Sequence, residues 1–112
     1  MYMNQSHICP KFEKAMEILS RRWIGLIIYQ LQSGPQRFCT LESSIGVSGR
    51  VLSERLKDLE KQGIVKREVY PETPVRIEYS LTEIGESMKP MMEAIAKWAD
   101  EWIKEKPEMD QK

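Results

Sequence analysis

Residues 48–63, SGRVLSERLKDLEKQG, leave the rest of the chain little freedom. Leu52, Leu56 and Leu59 recur at spacings of four and three, which places them on one face of an α-helix. Arg50, Glu54, Lys57 and Lys61 fall on the opposite face. Ser48 is suited to cap the N-terminus, and Gly63 to end the helix in a left-handed conformation. Directly afterwards IVKREVY reads as a strand, PETP as a turn, and VRIEYSL alternates, with Val75, Ile77, Tyr79 and Leu81 on one face and Arg76, Glu78 and Ser80 on the other. A two-faced helix running straight into a hairpin with a projecting tip needs a core from elsewhere in the chain. The charged face is left for solvent or a partner.

The flanking segments are arranged to supply that core. PKFEKAMEIL carries Phe12, Ala15, Met16 and Leu19 at helical spacing, with Pro10 suited to the first helical position. RRWIGLIIYQLQSGP is a strongly apolar helix through Trp23, Ile24, Ile27, Ile28 and Leu31, ending at Ser33-Gly34-Pro35. A short QRF stretch precedes CTLESSI, a short helix ended by Gly46. Thr82 caps the last helical stretch, which runs to about residue 104, and Pro90 inside it predicts a kink or break near residues 86–89.

That last stretch carries Ile84, Met88, Met91, Ile95, Trp98 and Trp102, widened by Met92, Ala99 and Ile103. Such a stripe on a helix of roughly 33 Å exceeds what packing one small domain requires. It predicts a dimer interface made by Met88, Met91, Met92, Ile95, Trp98 and Trp102, joined by Phe12 and Met16 of the first helix. The plainer alternative is a Met/Trp row that serves the monomer core alone. The element order predicts a mainly α chain with a small β-hairpin wing (α+β). It is a single winged helix-turn-helix domain over 1–112, with dimerisation helices at 9–32 and 82–104 and a flexible tail at 105–112.

At 112 residues the chain is expected to form one domain. It has no apolar run near the roughly 20 residues of a membrane span, and charge throughout residues 1–20 argues against a signal peptide. Two distant cysteines fit neither a disulfide framework nor a zinc pattern, and with a single His no metal site or cofactor is expected. A cytoplasmic, reducing compartment is the expectation. Net charge is zero, yet residues 46–67 carry six Lys/Arg against three Asp/Glu, whereas residues 82–112 carry five against eight. Either this is ordinary solvated charge, or the two ends of the molecule face different partners.

The strings CPKFEKAMEILSRRWIGLIIYQLQSGPQRF, SGRVLSERLKDLEKQGIVKREVYPETPVRIEYSLTEIG and KWADEW resemble the HxlR-type bacterial transcriptional regulators over residues 9 to about 102. Within that family the sequence is most similar to the YodB/CatR branch, repressors that sense quinones and diamide through an N-terminal cysteine. The resemblance implies a homodimer on a palindromic double-stranded DNA operator and a non-enzymatic protein. Cys9 would be its sensor thiol, modified by quinones or other thiol oxidants. An HxlR-type regulator answering a different small ligand or stress, with Cys9 structural, is the alternative. A thiol enzyme lacks the base and oxyanion site it would need.

Segment 48–61 is the natural reader of a major groove. Ser48 and the first-turn N–H groups can meet a phosphate. Arg50, Ser53, Glu54 and Lys57 point outward, with Arg50 best placed for a guanine edge. Gly49 stands where the family commonly has a bulkier polar residue, so it either admits a close backbone approach or gives up a base contact. Arg76 sits where a wing would enter the adjacent minor groove, or else it pairs with Glu78 or Glu68. Lys66 and Arg67 are further phosphate candidates. Cys9 lies at the start of a helix near Lys11, a setting that favours a thiolate. Cys39 is expected to be packed, or else to resolve an oxidised Cys9 of another chain. His7 is either a tuner of the thiol or part of a disordered tail.

Overall fold

The computed structural model describes residues 8–104, so His7 and the expected tail at 105–112 lie outside the described residues. Among the described residues the elements run α1 (Pro10–Ser20), α2 (Ile24–Leu31), β1 (Gln36–Arg37), α3 (Phe38–Ile45), α4 (Gly49–Lys61), β2 (Val65–Tyr70), β3 (Arg76–Leu81), α5 (Glu83–Glu86) and α6 (Lys89–Trp102). The sheet is antiparallel in the order β1-β3-β2, with Val65 opposite Leu81, Tyr70 opposite Arg76, and Gln36 opposite Tyr79. This is the winged helix-turn-helix order read from the sequence.

Four apolar residues of α2 (Ile24, Ile27, Ile28 and Leu31) form the floor of the core. Leu41 of α3, the α4 leucines, Val65, Tyr79 and Leu81 close over it. Leu52, Leu56 and Leu59 are all essentially inaccessible, and burying each contributes about 1.5–3 kcal/mol relative to exposure. Ser48 caps α4 by accepting from the Val51 N–H at 3.2 Å. Gly63 follows at φ 76°, a left-handed conformation that a side chain resists. The chain then turns directly into β2.

The C-terminal stretch differs from one long rod. Thr82 accepts from the Gly85 N–H at 3.2 Å and opens only the four-residue α5. The helix restarts at Lys89 with Pro90 in its first turn, where a missing N–H breaks no intrahelical bond. The break expected near Pro90 is present, and α6 at 14 residues spans about 21 Å. Gly85 is held so close to the body that a Cβ there would stand 2.4 Å from the Ile64 carbonyl oxygen and 2.9 Å from Leu81 Cδ2.

The placement of the apolar stripe also requires a correction. Met92, expected at a subunit interface, is 4% exposed and belongs to the core. Met88 packs half-buried against that core. Adjacent positions on a helix diverge by about 100°, so the Met88–Met92 row turns inward and the Met91–Ile95–Trp98–Trp102 row turns outward. Trp98 is 58% and Trp102 69% exposed. Phe12 and Met16 of α1 are exposed as well, and α1 has no buried residue. Ser80, read as outward, is buried with its strand neighbours.

Candidate nucleic-acid interface and thiol

The outward face of α4 presents Arg50, Glu54, Lys57 and Lys61, all exposed, with Ser53 half-buried on one flank. The Arg50 side chain is 88% exposed, and its Nε lies 3.8 Å from Glu54 Oε2, a loose pair across one helical turn. A competing phosphate or guanine edge would displace such a contact at little cost. Ser48, at the N-terminus of the same helix, is exposed beside the free first-turn N–H groups. Gly49 faces α3: a Cβ there would lie 3.0 Å from Glu42 Oε2 and 3.6 Å from Phe38 Cε1. The nearer contact is the end of a flexible side chain and the other an ordinary van der Waals distance, so a larger residue at this position would displace Glu42 rather than part the helices.

In the wing, Arg76 is paired rather than free. The Arg76 guanidinium donates from Nη2 to Glu72 Oε2 at 2.9 Å and from Nη1 to Glu78 Oε2 at 2.6 Å, and its Cζ sits 4.1 Å from the centroid of the Tyr70 ring. Hydrogen bonding to Glu72 and then Glu78 raises the Arg76 pKa, and the Arg76 hydrogen bond holds the Glu72 carboxyl below its ordinary value. Glu68 instead accepts from the Tyr70 hydroxyl at 3.2 Å, and its negative charge pushes the Tyr70 pKa up. Of the two roles open to Arg76, the pairing with Glu78 is the one present, with Glu72 as a second partner. Lys66 and Arg67 are both exposed, but they stand opposite Ser80 and Tyr79 and so emerge on opposite faces of the hairpin.

Cys9 is the N-cap of α1, exposed, with its carbonyl accepting from the Glu13 N–H at 3.0 Å and Pro10 following in the first turn. Cys39, expected to be packed, is exposed in the first turn of α3 because the side of that helix turned to the core is taken by Leu41. Both are free thiols. Between α2 and α6 runs an open cleft of about 870 Å³ lined by Leu26, Tyr29, Ile95, Ala99 and Ile103, together with the α1–α2 corner. Leu26 and Tyr29 are half-exposed or more, an outward α2 face absent from the sequence-based core.

Arg55 was missed by pattern reading because its partner lies far along the chain. Its Nε donates to the Arg22 carbonyl at 3.2 Å, across 33 residues. The neighbouring Arg21 pairs with Asp58 at 3.0 Å. No group of residues suited to hold a metal ion occurs among the described residues, and none of the described helices is long and apolar enough to cross a membrane.

The model of the HxlR-like helix-turn-helix family matches residues 18–107. An uncharacterized HTH-type transcriptional regulator of Bacillus subtilis (strain 168), YvaP, is 61% identical over 102 residues, covering 90% of this chain and 94% of YvaP. The reduced form of the transcriptional regulator YodB from B. subtilis superimposes with a TM-score of 0.76 at 44% identity, covering 87% of this chain and 96% of that one. Quinone-bound YodB superimposes with a TM-score of 0.73 at 40% identity, covering 85% and 100%. With a winged helix, a basic outward reader face and relatives that are transcription regulators rather than enzymes, the chain belongs to the HxlR family and is a DNA-binding transcriptional regulator of the YodB type.

Proposed function

We propose that the protein is a homodimeric repressor that releases a palindromic operator when Cys9 is oxidised or alkylated. The observation that carries this reading is the position of Cys9: an exposed thiol at the N-cap of a helix that is exposed over residues 10–17 and packs on the core through Ile18 and Leu19 at its other end. A thiol so placed is open to electrophiles, and the end of the helix that carries it is not packed on the body of its own subunit. Exposure argues against Cys9 as a packed filler. The quinone-bound form of YodB supports quinones as the class of electrophile.

The chemistry is simple to balance. A Cys9 thiolate adds to a ring carbon of a quinone, forming a C–S bond while the ring takes up the thiol proton and becomes a hydroquinone thioether. Diamide removes two electrons and two protons from two thiols, which become a disulfide while diamide becomes the hydrazine. The second thiol is Cys9 or Cys39 of the other subunit, or a small cellular thiol. The outward row Met91, Ile95, Trp98 and Trp102, with Phe12 and Met16, forms the subunit contact. Arg50, with Ser53, Glu54 and Lys57, reads bases, and Ser48, Gly49, Lys66 or Arg67 meets the backbone. In a twofold dimer the two reader helices must stand about one DNA turn apart, roughly 34 Å, so a subunit tilt of a few ångströms loses the site.

The test compares wild type with Cys9→Ser on a duplex selected from a random-sequence pool by the reduced wild-type protein. Diamide or benzoquinone is expected to release the wild type and leave the variant bound. Equal release of both removes Cys9 from the mechanism.

A further inference from the structure

Leu52, Leu56 and Leu59 fix how deeply α4 sits in the core, and their close packing limits how far it can roll. Apolar contacts carry no direction of their own, so the last few degrees of roll are open to contacts on the flank of the helix. With side chains included, the helix has a radius of about 5–6 Å, so a roll of roughly 20° carries the outward groups about 2 Å sideways. Base recognition tolerates only about 0.5 Å. Directional contacts on the flank of α4 therefore set the final orientation that packing leaves open.

Arg55 and Asp58 occupy one flank of α4, three residues apart, between the buried leucine row and the outward basic row. Both engage the corner between α1 and α2. Arg55, with a side chain only 18% exposed, donates to the Arg22 carbonyl at 3.2 Å, and Asp58 Oδ2 receives Arg21 Nη1 at 3.0 Å. The corner is itself well defined. Trp23 is held in a left-handed conformation at φ 80°, packs against the core, and carries the Arg22 guanidinium 4.5 Å from its ring centroid. Beside these contacts α1 and α4 are separated by a crevice of about 240 Å³, lined by Lys14, Ile18, Arg21, Ile24, Asp58 and Leu59. Polar contacts thus hold the reader helix to the corner at a place where apolar packing is incomplete. The corner is also the C-terminal end of the helix that Cys9 begins.

We infer that Arg55 and the Arg21–Asp58 pair are positioning residues for the reader helix: they set its roll against the α1–α2 corner and pass displacement of α1 on to it. The inference rests on the reading of α4 as the element that contacts DNA. Its relay clause rests also on Cys9 as the sensor.

The experiment uses the full-length reduced protein, the duplex that wild type selects from a random pool, and an unrelated duplex of equal length. Affinities are read by fluorescence anisotropy for Arg55→Gln, Asp58→Asn and the charge-swapped Arg21→Asp/Asp58→Arg. Arg55→Gln and Asp58→Asn are expected to lower the ratio of specific to non-specific affinity by roughly threefold to tenfold. Non-specific affinity should hold, and the swapped pair should recover the ratio. A stability defect alone would lower both affinities together and leave their ratio unchanged. If Arg55→Gln fails to fold, Asp58→Asn and the swap decide, since that pair is solvent-accessible. An unchanged ratio in these variants, while Arg50→Ala lowers it, overturns the inference alone. An unchanged ratio in Arg50→Ala as well overturns the assignment of α4 and the inference with it. After diamide treatment the fold-loss of operator affinity should be smaller in Asp58→Asn than in wild type, and an equal loss overturns the relay. A wild type that keeps its operator after treatment overturns the Cys9 reading and the relay, while the roll is still decided by the affinity ratio.

Discussion

Gly85→Ala tests how tightly the C-terminal helices are bound to the body. The added methyl would be 2.4 Å from the Ile64 carbonyl oxygen, 2.9 Å from Leu81 Cδ2 and 3.0 Å from Leu81 Cβ. A carbon rests no closer than about 3.3 Å to a carbonyl oxygen even in favourable contacts, so the backbone must open by close to 1 Å. The Ile64 oxygen cannot retreat freely, since it accepts from the Thr82 N–H at 2.9 Å and from the Thr82 hydroxyl at 3.1 Å. Overpacking of this kind costs about 1–3 kcal/mol, and weakening one of those hydrogen bonds adds about 0.5–1.5 kcal/mol. Alanine recovers up to about 1 kcal/mol of helix propensity. The net expectation is a loss of about 2–3 kcal/mol. For a domain of this size that lowers the thermal midpoint by about 8–15 °C, followed by circular dichroism at one fixed protein concentration. Gly85→Ser should fall at least as far. A midpoint within about 2 °C of wild type would refute the argument, because it would mean α5 can draw away from Ile64 and the end of β3 at no cost.

Met92→Ala and Trp98→Ala separate the two faces of α6: the first should lower unfolding stability by about 2–4 kcal/mol in urea titrations. The second should mainly shift sedimentation from dimer towards monomer, and a dimer unaffected by Trp98→Ala would refute the proposed contact. Arg76→Ala should leave the dependence of log affinity on log salt unchanged, whereas an Arg76 that met a phosphate in each subunit would make the slope shallower by about 2. Glu72, held below the ordinary carboxylate value of 4.5 by its hydrogen bond from Arg76, should titrate low when its side-chain carboxyl is followed by NMR. Because the folded value is depressed, the stabilisation is present above the ordinary carboxylate range and disappears as pH falls through the depressed value. Titration at or above 4.5 would show that the pair does not form.

How much of this was legible beforehand follows the range of the interactions. The bounds and the buried face of α4 could be read because Ser48, the leucine row and Gly63 act within one helix. The hairpin could be read because alternation is local, and the break at Pro90 because proline acts on its own backbone. Met92 could not be placed, since choosing which of two adjacent apolar rows faces inward depends on where α2 lies. Arg55 was invisible for the same reason: its acceptor is a main-chain carbonyl 33 residues away, and a carbonyl carries no sequence signature. Arg76 lay between these cases. Glu78 was a visible neighbour, but Glu72 comes within reach only once the turn has folded. Gly49 and Cys39 needed the α3–α4 geometry to be interpreted at all.

The pairing in the wing changes what the rest of the dimer must do. Residues 46–67 carry a net charge of +3, but residues 68–81 carry −2, and the three carboxylates of that segment, Glu68, Glu72 and Glu78, surround Arg76 and Tyr70. A guanidinium shared by two carboxylates offers a phosphate little net attraction, and the uncompensated acid around it opposes close approach. The tip of the hairpin, beyond Lys66 and Arg67 at its base, is therefore poorly suited to anchor the protein on the minor groove. Sequence-specific affinity then falls to the two α4 helices, and a pair of short basic helices grips DNA strongly only when both engage at once. Their separation is set by whatever joins the subunits, which in the dimer proposed above is the exposed face of α1 and α6. The proposed dimer would lose most of its grip when that separation changes slightly. A thiol at the start of α1 is thus placed on an element whose movement has the largest effect on binding.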